Sequence, residues 1–188
     1  MRKTLLIPLV DLAKPGRGSF LELWVESAQY GADGLQSLAF GPLQAAVATA
    51  RQALAGLPAP LRPAATRLMT PGLNLVQSNS TALGLALCSY LLDPAFPYSG
   101  HIVTGGLAVE VTPAAPARII DSGHLRHSLE AVCALGYQPE PVLFILPRCA
   151  LDETLAERCG QLAALNIAVR PVADLAEALE ACTGRLSV

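Results

Sequence analysis

Residues 76–92 have the sequence VQSNSTALGLALCSYLL, in which a short polar turn leads directly into an apolar helix. The predicted helix is apolar on all sides, which is typical of a buried helix. Ser80 lies where the turn meets the helix. Serine is a preferred N-cap residue, so Ser80 can cap this helix. It can also be a nucleophile, because the free N–H groups of a helix start can stabilise an oxyanion. The residues alone leave both interpretations open.

The N-terminal part of the chain predicts antiparallel strands followed by a helix. Residues 4–12 are apolar, and residues 20–26 alternate bulky and polar side chains after a turn cluster, which indicates a hairpin. Residues 35–40 predict a third strand, and residues 73–76 predict a strand that leads to Ser80. Between these two segments the apolar residues follow helical spacing after Pro42; they are Leu43, Ala46, Val47, Ala50 and Leu54.

Strands and helices alternate through the second half. Strands are predicted at residues 101–106, 107–111, 117–120, 141–146 and 167–172. Helices are predicted after the capping residues 121–123, from Asp152, and over residues 174–182, with Gly136 ending the first. This alternation indicates an α/β (α+β) fold with a partly parallel sheet and crossover helices. The predicted core includes Leu83, Leu87, Val103, Leu129, Val142, Phe144 and Ile167.

Length and composition limit the possible classes of protein. A chain of 188 residues predicts a single domain over residues 1–188. Charged residues make up 15% of the chain, against about 25% in a typical soluble domain. We therefore expect apolar area in a subunit or partner interface; the alternative is an alanine-rich sequence with an ordinary surface. The net charge is -2 and the basic residues are scattered, so nucleic-acid binding is not expected.

The cysteine pattern and the hydropathy predict a cytoplasmic protein without a membrane span. The five cysteines include no C-x-x-C pair and are interpreted as reduced core residues; they are Cys88, Cys133, Cys149, Cys159 and Cys182. Pro8 and Asp11 interrupt the N-terminal apolar run, which favours a strand over a signal peptide. The three histidines have irregular spacing and there is no glycine-rich phosphate loop, so neither a metal nor another cofactor is expected. His101 is interpreted as a core or loop residue.

The segment from Ser80 to Leu87 resembles the nucleophile segment of the Lon protease proteolytic domain, a P-S-A-G turn followed by an apolar helix. The order of predicted elements is also similar to that family over nearly the whole chain. The resemblance implies a Lon-type fold, a serine protease ancestry and homo-oligomers in the form of six-membered rings, with dimers or trimers as alternatives. It also implies a catalytic serine at Ser80 and a role for Thr104, which begins the segment where the family has T-G-E.

The chain departs from the family at the residues that matter for chemistry. Asn79 replaces the proline of the serine turn, Ala82 replaces its glycine, and Gly106 replaces the acid of T-G-E. The family's lysine base lies in a G-L-K segment, and Arg126 occupies that position here. Arginine stays protonated to about pH 12 and cannot act as the base.

Two functional hypotheses follow. The first is a catalytically inactive Lon-like domain that serves as an assembly module or binds a protein or peptide partner. The second is an atypical serine peptidase in which His124 or His127 activates Ser80, since imidazole titrates near neutral pH. Lys3 and Lys14 are the only lysines of the chain, so the second half contains none.

Overall fold

The structure is a computed structural model that describes residues 4–9, 19–27, 44–57, 66–69, 81–90, 101–109, 116–121 and 123–183. These residues form a mixed α/β fold. The strands are β1 Thr4–Leu9, β2 Ser19–Ser27, β3 Thr66–Met69, β4 His101–Val103, β5 Gly106–Ala108, β6 Arg118–Ile120, β7 Val142–Pro147 and β8 Ile167–Val172. The α-helices are α1 Gln44–Ala55, α2 Ala82–Cys88, α3 Leu125–Cys133, α4 Glu153–Leu162 and α5 Leu175–Thr183.

The main sheet contains six strands in the order β3-β2-β1-β4-β7-β8. Strands β1, β2 and β3 pair antiparallel, with Leu5 opposite Leu23, which confirms the predicted N-terminal hairpin. Strands β1, β4, β7 and β8 pair parallel, with Leu5 opposite His101 and Ile102 opposite Phe144. The predicted partly parallel sheet is therefore confirmed. Parallel neighbours require crossover connections, and α3 and α4 supply those before β7 and β8.

Helices cover both faces of this sheet, so the core has two clusters. The first cluster lies with α1, α2 and α5 and includes the sheet residues Leu5, Ile7, Val103 and Ile145. The second lies with α3 and α4 and includes Ile102, Phe144 and Leu146. Successive strand residues point to opposite faces of the sheet. A strand that is apolar at every position therefore contributes side chains to both clusters. This pattern explains the continuous apolar sequence of β7.

All seven residues of α2 are buried, as its apolar sequence predicts. The helix packs on β1 and β2. Gly84 makes this close packing possible, because a Cβ atom there would overlap the side chain of Ile7. The predicted helix extends to residue 92, whereas α2 ends at Cys88 and is followed by a turn at residues 89–90.

Some predicted core residues and strands differ from the structure, and others lie outside the described residues. Among the predicted core residues Val142 is only partly buried, and the other six are buried. The predicted strands at residues 35–40 and 73–76 lie outside the described residues. In the described residues β2 pairs with β1 on one side and with β3 on the other, and the sequence patterns do not predict β3. Strands β5 and β6 form a separate two-stranded sheet, attached through the Ile119 N–H bond to the Ala173 carbonyl at 2.7 Å.

The interpretation of all cysteines as core residues is wrong. Cys133 and Cys149 are exposed, Cys159 is partly buried, and Cys88 and Cys182 are buried. An amphipathic helix has an edge between its buried and exposed sides, and a cysteine there looks apolar in the sequence while facing solvent. Cys133 ends α3 at such an edge, and Cys149 lies in a short 3₁₀ turn after β7.

Two further observations concern the surface of the described residues. None of their helices combines the length and the apolar content needed to cross a bilayer. Tyr137, at 68% exposure, is the one large hydrophobic side chain among them that is exposed. In the described residues, large apolar side chains are therefore mostly buried, although the chain has few charged residues. The expected apolar interface remains a hypothesis.

Candidate functional site

Thr104 follows β4 directly and is buried. Its backbone N–H donates to the Ile145 carbonyl at 3.0 Å, which extends the contact between β4 and β7. Its hydroxyl lies 3.3 Å from the Ser128 hydroxyl, and both side chains are almost fully buried. Two buried hydroxyls at this distance satisfy each other's need for a hydrogen-bond partner.

Ser128 belongs to the inward face of α3, and sequence reasoning missed it. It shares this face with Leu125, Leu129 and Val132, at the spacing i, i+3, i+4 and i+7 of a buried helix stripe. A polar residue inside an otherwise apolar stripe was the available signal. The long-range partner of Ser128 could not be inferred from spacing alone.

The start of α2 lies next to Thr104. The backbone N–H of Leu83 donates to the Gly105 carbonyl at 3.4 Å, and Thr81, which precedes the helix, is buried without a side-chain capping bond. Gly105 has a φ of 138°, a conformation that favours glycine. One of the N–H groups that could stabilise an oxyanion is thus already occupied by a carbonyl.

The serine itself lies outside the described residues, as does Asn79. Both interpretations of Ser80, cap or nucleophile, therefore remain predictions. Ala82 is the first residue of α2 and is fully buried. Gly106 begins β5 opposite Ile120, so the backbone at the position of the family's acid belongs to the small sheet.

Arg126 does not reach the buried hydroxyl pair. Its side chain is 70% exposed, and its Nε lies 3.8 Å from the Glu130 carboxylate one helical turn away. Residues two apart on a helix do not share a face, so Ser128 faces inward while Arg126 faces solvent. Glu130 also lies 3.6 Å from Arg158 of α4, which joins the two helices at the surface.

The two candidate histidines flank the start of α3. His124 occupies the N-cap position with no side-chain capping bond, one residue beyond the predicted cap at residues 121–123, of which Ser122 lies outside the described residues. Gly123, with a φ of 81°, turns the chain just before the helix and separates Asp121 from it. His127 is partly buried, and its Nδ1 is a buried atom with no hydrogen-bond partner in the part of the chain that the structure describes.

His101 is buried at the start of β4, which agrees with its interpretation as a core residue. Its Nδ1 accepts the backbone N–H of Leu143 at 3.2 Å, so the neutral ring carries its proton on Nε2. Burial lowers the pKa of His101 from 6.5 to about 4. The imidazole is therefore neutral at physiological pH, and Nδ1 is committed to the sheet.

A cleft of about 550 Å³ lies between α5 and the exposed part of β8, with His101 and Leu143 in its lining. Arg148 and Glu177 also line the cleft and are joined by two guanidinium–carboxylate hydrogen bonds of 2.8 and 3.3 Å. Glu177 also accepts the Ala173 N–H at 2.8 Å, and its own N–H donates to the Asp174 carboxylate at 2.9 Å. These bonds form a capping arrangement at the start of α5.

No group of three or more potential metal-ligating side chains occurs among the described residues. The buried pair of hydroxyls and the neighbouring peptide groups can hold hydrogen bonds, but none of these groups accepts a proton readily near neutral pH. Comparisons of the chain with protein-family models and with curated proteins find no match.

Proposed function

We propose that this chain is a Lon-proteolytic-domain-like module that lacks a Ser-Lys dyad and works by assembly or partner binding, not by hydrolysis. One observation carries the proposal. The α3 residue that faces Thr104 is Ser128, which presents only a hydroxyl group. Arg126 lies at the surface beside Glu130. A serine nucleophile needs an adjacent base to remove its proton, and a hydroxyl is not such a base.

The start of α2 supports the same conclusion. The Leu83 N–H is hydrogen-bonded to the Gly105 carbonyl, and residues 81–83 are buried. Stabilisation of an oxyanion depends on donors that are free to meet the developing charge. A donor already paired with a carbonyl must break that bond first, so it contributes less to a reaction.

His127 is the basis of a second candidate, an atypical serine peptidase. Its Nδ1 is buried and has no hydrogen-bond partner among the described residues, and such a nitrogen can accept a proton. In this alternative His127, or His124 at the helix start, removes the Ser80 proton. We favour the inactive module because no carboxylate hydrogen-bonds either imidazole in the described part of the chain.

A labelling experiment separates the two. Purified wild type and Ser80→Ala are treated with a fluorescent serine-reactive phosphonate and, in parallel, with unfolded casein. The inactive module gives equal, background signals for both proteins. Labelling of wild type that disappears in Ser80→Ala would contradict it, and loss of the labelling in His127→Ala or His124→Ala would identify the base.

The assembly part of the proposal includes self-association, for which the Lon-like resemblance implies a six-membered ring, with dimers or trimers as alternatives. Light scattering at micromolar concentration measures the mass directly. A mass of 19.6 kDa, that of one chain, would remove self-association from the proposal.

A further inference from the structure

We propose that the cleft between α5 and β8 is a contact between two copies of this chain, related by a twofold axis. The inference rests on the proposed function and selects the dimer among its possible assemblies, because a twofold contact is closed by two subunits. The cleft lies at the edge of the described sheet. Strand β8 is the last strand of the described sheet, and α5 covers only part of it.

One face of β8 has an exposed part, called the floor here, and a part that α5 covers. Val172 is buried in the core cluster that contains α5, whereas Ala168 and Arg170, on the same face of the strand, are exposed. Glu180 and Ala181 of α5 line the cleft above this floor. The result is a step, with a helix as its ridge and a strand face as its lower level.

A step of this kind is complementary to itself. In a twofold contact the same patch is used by both subunits, so each ridge lies on the other subunit's floor. The α5 helix of each copy would then pack on the exposed β8 face of the other. Ala168 on the floor and Ala181 on the ridge are small, which allows the two backbones to approach closely.

The charged residues of the cleft can also pair between two copies related by the twofold axis. Arg148 and Glu177 pair with each other within the chain. Arg170 and Glu180 are exposed, and neither has an ion pair among the described residues. Packing of the ridge on the floor brings Glu180 of the second copy to Arg170, and the twofold axis repeats this pair. Unlike charges placed in this way specify one partner and one orientation.

The outer edge of β8 argues against a contact by strand addition. Pro171 lies in the strand and has no N–H to donate, and its carbonyl accepts a hydrogen bond from Arg148 at 3.4 Å. Proline and charged side chains at a sheet edge discourage pairing with another strand. The contact is therefore expected on the face of β8 and the side of α5.

The test measures the mass of the full chain by light scattering over a concentration series. Four proteins are compared: wild type, Arg170→Glu, Glu180→Arg and the double variant. Each single variant opposes like charges twice in the contact, so we expect a dimer dissociation constant at least about tenfold higher than in wild type. The double variant exchanges the charges and restores association. Glu157→Arg, an exposed residue of α4 on the other side of the sheet, is the control and should leave the mass unchanged.

Both substituted residues are exposed, and circular dichroism melts verify that each variant is folded. Single variants that associate as strongly as wild type would overturn the cleft contact and leave self-association standing. A monomeric wild type would overturn both. Single variants that weaken association with no recovery in the double variant would show that the two charges do not face each other, and would also overturn the proposal.

Discussion

The hydroxyl oxygens of Thr104 and Ser128 lie 3.3 Å apart in the protein interior and connect the end of β4 to the middle of α3. Removing one member leaves the other buried without its partner, which costs about 1–3 kcal/mol. We therefore expect Ser128→Ala and Thr104→Val each to lower the free energy of unfolding by about 1–2 kcal/mol. Urea unfolding of both variants and of the double variant measures this, and the double variant should lose less than the sum. Strict additivity would contradict the pairing.

Gly84 and Gly160 are expected to respond oppositely to substitution by alanine. A Cβ at Gly84 overlaps the Ile7 side chain, so Gly84→Ala should destabilise the protein by about 1–3 kcal/mol. Gly160, in α4, is exposed with nothing near its Cβ position, so Gly160→Ala should stabilise by about 0.5–1 kcal/mol through helix propensity. Thermal unfolding compares the two. Ile7→Val in the Gly84→Ala background should recover part of the loss.

His101 makes stability depend on pH. Its pKa is 6.5 in an ordinary environment and about 4 in the fold, where burial lowers it. Between these pH values the unfolded chain binds a proton that the folded chain excludes. The free energy of unfolding therefore falls as the pH drops from 6.5 to about 4, by at most about 3 kcal/mol.

The matched variant for this prediction is His101→Asn, whose amide oxygen can accept the Leu143 N–H without titrating. Urea unfolding between pH 4 and pH 7 should give a weaker pH dependence for the variant than for wild type. Identical slopes in the two proteins would show that another group causes the effect.

Glu177 and Arg148 form one ion pair, yet their removal should have unequal effects. Glu177 also accepts the Ala173 N–H at the start of α5, so Glu177→Ala loses a capping interaction in addition to the pair. We expect a loss of about 1–2 kcal/mol for Glu177→Ala and below about 1 kcal/mol for Arg148→Ala, whose side chain is 56% exposed. Denaturant unfolding tests the order, and a larger effect for Arg148→Ala would contradict it.

The exposed and the buried cysteine thiols should be alkylated at different rates. Cys133 and Cys149 are exposed, whereas burial raises the pKa of the Cys88 and Cys182 thiols. The thiolate is the reactive form, so the exposed pair should be alkylated by iodoacetamide well before the buried pair. Mass spectrometry of the native protein follows each site. Equal rates for Cys88 and Cys133 would contradict the described burial.

The secondary structure was largely predictable because it depends on local patterns. The apolar spacing of residues 43–54 predicts α1, and the continuous apolar run of residues 141–146 predicts β7. The sequence predicts that α4 starts at Asp152, and the Asp152 carboxylate accepts the Leu155 N–H at 2.8 Å. In each case the decisive interactions are between residues a few positions apart, so spacing and residue type contain the information.

The sequence by itself determined the alternating elements, the burial of α2 and the absence of any lysine after Lys14. Tertiary structure decided that β2 pairs with the unpredicted β3, and that Ser128 instead of Arg126 faces Thr104. The pattern of α3 alone does not say which polar residue meets which strand end. That choice depends on how the helix is rotated against the sheet, and the packing of Leu125, Leu129 and Val132 against distant strands sets this rotation.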